Sequence, residues 1–395
     1  MRADVAIVGA GPAGCFVGKK LAERGIKVVI VEEHGEVGKP VCCTGIVGVG
    51  GLRELGIKLE KWILGRLRGA VIYSPSNNSL ELTRQRVEAL VIDRVKFDRS
   101  LAASASEAGA TLLLNSRCLD LCFDDGPVIK IGGGKENELK ARVVIGADGP
   151  ISVVARRAGL LKASKYIKCA QVETMAKASD EIAEVYFGRS FAPGFFGWLV
   201  KAGDICRVGL GTTKGNPNQM LKIFISKHPV VSHKVGGKAF STCVGLIPEC
   251  MSRKIHTGCV LLVGDAAGQV KPLTGGGIYV GLSCAKLAAE AVIKALESGE
   301  MKRLDDYERA VMDKFGAEFK FGVCARRLFE RMSDEDLDFL IDLLNRKDIQ
   351  DILLENFDFD HHERLIRAMM LKAPEIFRSI GIKRALKYTH SLAKL

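Results

Sequence analysis

The sequence predicts an α/β protein: a Rossmann-like domain interrupted by an antiparallel-sheet domain and followed by C-terminal helices. Three observations predict it. A glycine-rich turn, GxGxxG at Gly9–Gly14, sits between two short apolar runs. Two later apolar runs end in Asp148-Gly149 and Gly264-Asp265. The segments between them carry short apolar runs separated by turn residues.

The stretch "DVAIVGAGPAGCFVGKKLAERGIKVVIVEE" reads as strand, tight turn, helix and strand. Val5 to Val8 form a buried parallel strand, Phe16 to Glu23 continue as a helix, and Val28 to Val31 form the second strand. Gly9 permits the turn, Gly11 lets a pyrophosphate approach the backbone, and Gly14 packs helix on strand. The helix N-terminus turns its dipole on the phosphates. Glu32, closing the second strand, accepts hydrogen bonds from a ribose. The unit is a dinucleotide site, and at this point FAD and NAD are both open.

Next comes "GKPVCCTGIV", Gly38 to Val47. Its adjacent cysteines, Cys42 and Cys43, cannot easily bond each other, make no CxxC pair, and have the wrong spacing for zinc. "ARVVIGADGP" gives a strand ending in Gly146-Ala147-Asp148-Gly149. "GCVLLVGDAAGQVKPLTGGGIYVGL" gives a strand at Val260 to Val263, the pair Gly264-Asp265, a loop with Gly275 to Gly277, and a long helix. The runs "GAVIYS", "IKCAQVET", "EVYFG", "FFGWLVKAG" and "ICRVGLGTT" predict an antiparallel sheet, one wall of a substrate cavity. The expected bounds are 1–70, 91–160 and 255–325 for the nucleotide-binding domain, 71–90 and 161–254 for the sheet, and 326–395 for helices. A helix start signal stands at Ser333, in "SDED".

The 395 residues are 47% hydrophobic and 26% charged, which excludes a disordered chain. The net charge of +12 favours an anionic partner. A nucleic-acid role is set aside because no basic–aromatic recognition module is visible. The twelve scattered cysteines read as reduced intracellular thiols, with no metal site. No cleavage site follows the first apolar run and no run is long enough to span a bilayer. The expected location is therefore cytoplasmic, free or peripheral at the inner face of the membrane. From Glu363 onward eight Lys or Arg stand against two Glu. The apolar stripe there (Leu365, Ile366, Met369, Met370, Ile376, Phe377, Ile380) reads first as a core-facing helix and second as a membrane-surface contact.

The Asp-Gly and Gly-Asp segments, in this order and spacing, resemble those of the flavoprotein fold typified by para-hydroxybenzoate hydroxylase. That resemblance implies FAD, with Asp265 on the ribityl chain and Gly277 and Ile278 beside the flavin pyrimidine. A helix N-terminus there would stabilise negative charge on reduced flavin. "KPVCCTGI", "DRVKFDRSLA", "GDAAGQVKPLTGGGIYVGL" and the acidic tail from Ser333 narrow the likeness to the geranylgeranyl reductase family. Within it the chain is most similar to the archaeal digeranylgeranylglycerophospholipid reductases. The resemblance implies a Rossmann-like FAD-binding domain, an inserted antiparallel-sheet substrate domain and C-terminal helices.

Residue by residue, it places Ala13 and Glu32 against the ADP half of FAD. Cys43, Thr44 and Ile46 would border the flavin and its ribityl, Arg94 would contact the cofactor, and Cys118 would offer backbone near the adenine. The family's aromatic segment, PxGYxWxFP, reads here "PGFFGWLVKAGD". Phe196 replaces Tyr, Val200-Lys201 replace Phe-Pro, and Trp198 stays; Phe196 and Trp198 are the candidate substrate residues. Cys43 matches the family cysteine and Cys42 does not. A thiol is a poor acid toward an isolated alkene, so gating or positioning is the role assigned to Cys43.

The resemblance implies a reductase saturating isoprenoid double bonds of a membrane-lipid precursor. An oxygen-dependent hydroxylase of the same fold and a non-catalytic, membrane-associated flavin protein stay open as alternatives. No second GxGxxG unit exists, so a dedicated NAD(P)H domain is not expected. Ferredoxin and transiently docked NAD(P)H are both candidate electron donors.

Overall fold

A computed structural model describes residues 1–123, 125–160, 165–365 and 367–369. The chain divides into two compact units. The first comprises Met1–Val41, Asp93–Tyr166 and Ile247–Gly316; the second comprises Cys42–Ile92, Ile167–Leu246 and the segment from Ala317 on. Residues 42–70 thus fall with the sheet rather than with the nucleotide-binding segments, and so do the C-terminal helices. The physical reason lies in what those residues bury.

The first unit holds a six-stranded sheet. In spatial order its strands are His256–Thr257, Val260–Leu262, Val143–Gly146, Val5–Val8, Val28–Val31 and Thr111–Leu113. All pairs are parallel except the edge pair His256–Thr257 with Val260–Leu262. The central strands are wholly buried, so they read as continuous apolar runs rather than alternating ones. Helix Pro12–Ala22 connects the Val5 and Val28 strands. It starts four residues before the expected Phe16, because Pro12 at the first position already has a helical φ. The helix lies close on the sheet at Gly18, where an added Cβ would come within 2.7 Å of Ile30 Cδ1. A three-stranded antiparallel sheet (Arg117–Phe123, Pro127–Gly132, Glu138–Lys140), the helix Arg94–Glu107 and the 21-residue helix Ile278–Ser298 belong to the same unit.

The second unit holds a seven-stranded sheet. Its order is Ser241–Pro248, Tyr166–Thr174, Ile205–Thr212, Gly197–Ala202, Ile182–Tyr186, Gly69–Tyr73 and Ser79–Thr83. The expected runs all became strands, but Ile182–Tyr186 pairs with Gly69–Tyr73 in parallel. These two strands come from segments far apart in sequence, so no hairpin forces them antiparallel. Ile46–Gly48, Ala89–Ile92 and Ile63–Leu67 form a further three-stranded sheet. Leu80, fully buried, packs with Ile341, Ile349 and Leu353 of the helices Asp334–Leu344 and Lys347–Asn356. Leu365 and Met369 pack against the same cluster, which is why those helices belong to this unit. The rest of the C-terminal stripe lies outside the described residues. Ser333 caps its helix as a capping box with Asp336. Among the described residues no helix is long and apolar enough to cross a membrane.

Candidate functional site

In the first unit the glycines act as their spacing predicts. Gly9 has φ +100°, and a Cβ there or at Gly14 would collide with backbone, on the Ala147 and Gly9 carbonyls respectively. Gly11 is the helix N-cap, carries no side-chain cap bond, and has nothing within 4 Å of an added Cβ. Pro12 has no N–H, so Ala13 and Gly14 present the first free N–H groups of the helix. The Ala13 methyl points elsewhere, toward Gly264 and Gly281, whose missing side chains let the segments close up.

Glu32 ends the second strand with its carboxylate largely engaged. Oε2 accepts from Ala10 N at 2.8 Å, while Oε1 accepts from His34 N at 3.0 Å and meets His34 Nδ1 at 2.6 Å. A carboxylate offers about four acceptor sites, so Oε2 keeps one open. Asp148 of the Asp-Gly pair is spent internally. It accepts from the Ser152 hydroxyl at 2.6 Å and from Val153 N and Val154 N at 2.7 and 3.1 Å, seating the short helix Val153–Arg157. Cys118 is buried in the three-stranded sheet, and burial first, then the Asp148 and Asp120 charges, push its thiol up to about 12.

Asp265 lies in the one-turn helix Gly264–Ala267 after strand Val260–Leu262. Two residues that sequence reasoning missed hold that turn. Gln269 Oε1 accepts from Gly264 N at 2.8 Å, its Nε2 donates to the Tyr307 hydroxyl at 2.7 Å, and that hydroxyl donates to Leu262 O at 2.7 Å. The Asp265 carboxylate, half-buried, accepts no hydrogen bond among the described residues. Burial pushes it up to about 6, opposed by Arg94. Arg94 itself grips the buried Asp98 through Nε–Oδ1 at 3.0 Å and Nη2–Oδ2 at 2.9 Å. Gly277 is the N-cap of helix Ile278–Ser298, again with no side-chain cap bond.

In the second unit the segment Cys43–Gly45 is tied down carbonyl by carbonyl. Gln171 Nε2 donates to Cys43 O at 3.4 Å, Arg207 Nη1 to Thr44 O at 2.8 Å, and Ile92 N to Gly45 O at 2.8 Å. Gly45 has φ +75°, and a Cβ there would sit 2.7 Å from Arg207 Nη1. Arg207 is buried and pairs with Glu173 at 3.2 Å. Ile46 starts the strand that pairs with Val91. The two cysteines part company here. Cys42 turns toward the strand Ser241–Pro248, its sulfur 3.1 Å from where a Gly245 Cβ would stand. Cys43 Sγ instead accepts from Gly45 N at 3.3 Å. Trp198 is 9% exposed, with its indole N–H bonded to Gln171 Oε1 at 3.1 Å. Phe196 is half-buried and stacks on Phe195 at 4.0 Å between centroids.

Comparison with known proteins fixes what this frame is. A family model described as "FAD binding domain" matches residues 2–193. Digeranylgeranylglycerophospholipid reductase 2 of Methanopyrus kandleri is 34% identical over 368 residues, covering 88% of this chain and 92% of that protein. Digeranylgeranylglycerophospholipid reductase of Methanothrix thermoacetophila is 34% identical over 371 residues, covering 88% and 93%. The chain belongs to the digeranylgeranylglycerophospholipid reductase family. A solved structure of a geranylgeranyl bacteriochlorophyll reductase-like protein from Thermoplasma acidophilum superposes with TM-score 0.85 at 28% identity, covering 96% of this chain and 98% of that one.

The cofactor that goes with membership of this reductase family is FAD, and the residues fit it. The helix N-termini at Gly11 and Gly277 lack side-chain caps, and the one at Gly11 adjoins open space, as a pyrophosphate requires. Asp265, a half-buried carboxylate that accepts no hydrogen bond among the described residues, suits ribityl hydroxyls. Gln171, Arg207, Gln269 and Tyr307 were absent from the expected set for this reductase. Their partners lie on other segments of the chain, and no local spacing marks them.

Proposed function

We propose that this protein is an FAD-dependent reductase that saturates geranylgeranyl double bonds of an archaeal-type membrane-lipid precursor. The observation that carries the reading is the likeness to digeranylgeranylglycerophospholipid reductases over nearly the whole chain, joined to a nucleotide cradle of the right chemistry. When bound and reduced, FAD would supply the hydride for one alkene carbon, and a proton would go to the other. The chain's own part is binding and orientation. The N–H groups of Ala13 and Gly14 receive the pyrophosphate, Glu32 the ribose, Asp265 the ribityl hydroxyls and the Gly277–Ile278 turn the pyrimidine. Cys43, Thr44 and Ile46 border the flavin, as the family likeness suggests, with Cys43 gating or positioning. Arg94 and Cys118 complete the cofactor contacts, and Phe196 and Trp198 serve the lipid-binding part. An isolated alkene has no carbonyl to absorb charge, so its reduction depends on being held close and dry.

The electron donor is a ferredoxin or NAD(P)H, and the enzyme works at a membrane surface, where its substrate resides. Anaerobic reduction of the purified yellow protein, then addition of geranylgeranylated glycerophospholipid, tests the reading. Flavin reoxidation should match product mass gained in steps of two hydrogens. Reoxidation only with oxygen, accompanied by a hydroxylated product, would overturn it.

A further inference from the structure

We propose that Gln171 is a positioning residue for the Cys43–Thr44 segment, and that Trp198 acts through it by fixing which way its amide faces. This rests on the reading that the segment serves the flavin reaction. Gln171, Gly209 and Trp198 occupy one row across three adjacent strands, with Gln171 opposite Gly209 and Gly209 opposite Trp198. Gly209 has no side chain, and the indole fills its place: a Cβ there would lie 2.8 Å from Trp198 Nε1. The indole thereby reaches Gln171 one strand further on.

The hydrogen-bond logic then has one solution. An indole N–H can only donate, so the Gln171 atom 3.1 Å from it must be the amide oxygen. The amide nitrogen therefore faces the Cys43 carbonyl at 3.4 Å, where only a donor is useful. The Thr44 hydroxyl, 3.1 Å from the same Oε1, must donate to it. Its proton is committed, and its lone pairs are what it presents outward. Trp198 thus makes Thr44 an acceptor, suited to a hydroxyl or N–H donor of the ligand. A reversed amide would set N–H against N–H at the buried Trp198 contact and oxygen against oxygen at the part-buried Cys43 contact. Gln171 is 5% exposed, so water does not repair them.

The test uses Gln171→Glu, Gln171→Leu, Trp198→Phe and the double variant Gln171→Leu/Trp198→Phe. In Gln171→Glu, a protonated carboxyl donates to Cys43 O and accepts from Trp198 and Thr44, as the glutamine does; an ionised one cannot donate. Relative to wild type, Gln171→Glu should lose at least tenfold in kcat at pH 8 and recover most of it as the pH falls toward 5. The two single variants, Gln171→Leu and Trp198→Phe, should each lower kcat, and the double variant should be no worse than the poorer of them. In the apoprotein, the sequence has two tryptophans, so two indole ¹H–¹⁵N signals are expected. The Trp198 signal should shift and lose exchange protection in Gln171→Leu. A pH profile for Gln171→Glu parallel to wild type, fully additive losses, or an unmoved indole signal would each overturn the proposal. Should the wild type reduce no lipid, the functional reading fails, while the indole signal and the flavin spectra of the variants still decide this one.

Discussion

Gly11→Ala separates the fold from the cofactor. The Gly11 backbone has φ −68° and ψ 178°, which any residue adopts, and an added methyl meets nothing within 4 Å. Alanine is a poorer N-cap than glycine by up to about 1 kcal/mol. Reduced freedom of the unfolded chain offsets roughly 0.4–1 kcal/mol of that. The apoprotein should therefore melt within a few degrees of wild type. The methyl occupies the space through which a pyrophosphate reaches the Ala13 and Gly14 N–H groups. Losing one hydrogen bond to a charged group costs about 1.5–3 kcal/mol. At about 1.4 kcal/mol per tenfold, that weakens FAD roughly ten- to a hundredfold. Titration of apoprotein with FAD, followed by flavin fluorescence, gives Kd; a thermal melt without FAD gives stability. Unchanged Kd in a stable variant would refute the placing of the phosphates. Gly14→Ala is the counterpart: its methyl runs into the Gly9 carbonyl, so the apoprotein itself should fail to fold.

The other predictions concern single side chains. Between about pH 4 and 6 the folded protein holds on Asp265 a proton that the unfolded chain has released, so apoprotein stability should fall as pH rises through that window. The fall is on the order of 3 kcal/mol at 1.36 kcal/mol per unit; Asp265→Asn should abolish it in urea titrations run at each pH. Asp265→Ala should also lower the flavin content of the purified protein, read from the ratio of flavin to protein absorbance. Cys43→Ala should reduce turnover or alter the flavin spectrum at matched flavin content, while Cys42→Ala, whose sulfur faces Gly245, should leave both nearly intact. Leu80→Ala empties the contact with Ile341, Ile349 and Leu353 and should cost roughly 2–5 kcal/mol in urea unfolding, without changing FAD affinity.

The nucleotide-binding frame was legible because its signals are local. Gly9, Gly11 and Gly14 state their conformations within six residues, and the wholly apolar runs at Val5, Val28 and Val143 announce buried parallel strands. What sequence reasoning missed is pairing at a distance. Nothing in "IKCAQVET" marks Gln171 as the partner of Trp198 and Thr44, because that depends on strand register and on the vacancy at Gly209. The parallel union of Gly69–Tyr73 with Ile182–Tyr186 is equally invisible to a reading of turns. The assignment of residues 42–70 went astray for a related reason: short strands there pair with Ala89–Ile92, well down the chain. Ile366 and the C-terminal stripe beyond Met369 lie outside the described residues.

Each unit is assembled from three separate stretches of chain, and this sets a problem for synthesis. The strand Val143–Gly146 waits for its neighbour Val260–Leu262 until the ribosome has passed the latter. At about 5–20 residues per second the wait is on the order of ten seconds. During it, Val143, Val144 and Ile145, all fully buried in the finished protein, form an unprotected edge. Over that interval the nascent chain carries an apolar edge of the kind that pairs with other chains. A fragment cut at residue 193, where the matched FAD-binding region ends, would keep the same edge open permanently and should aggregate rather than bind flavin.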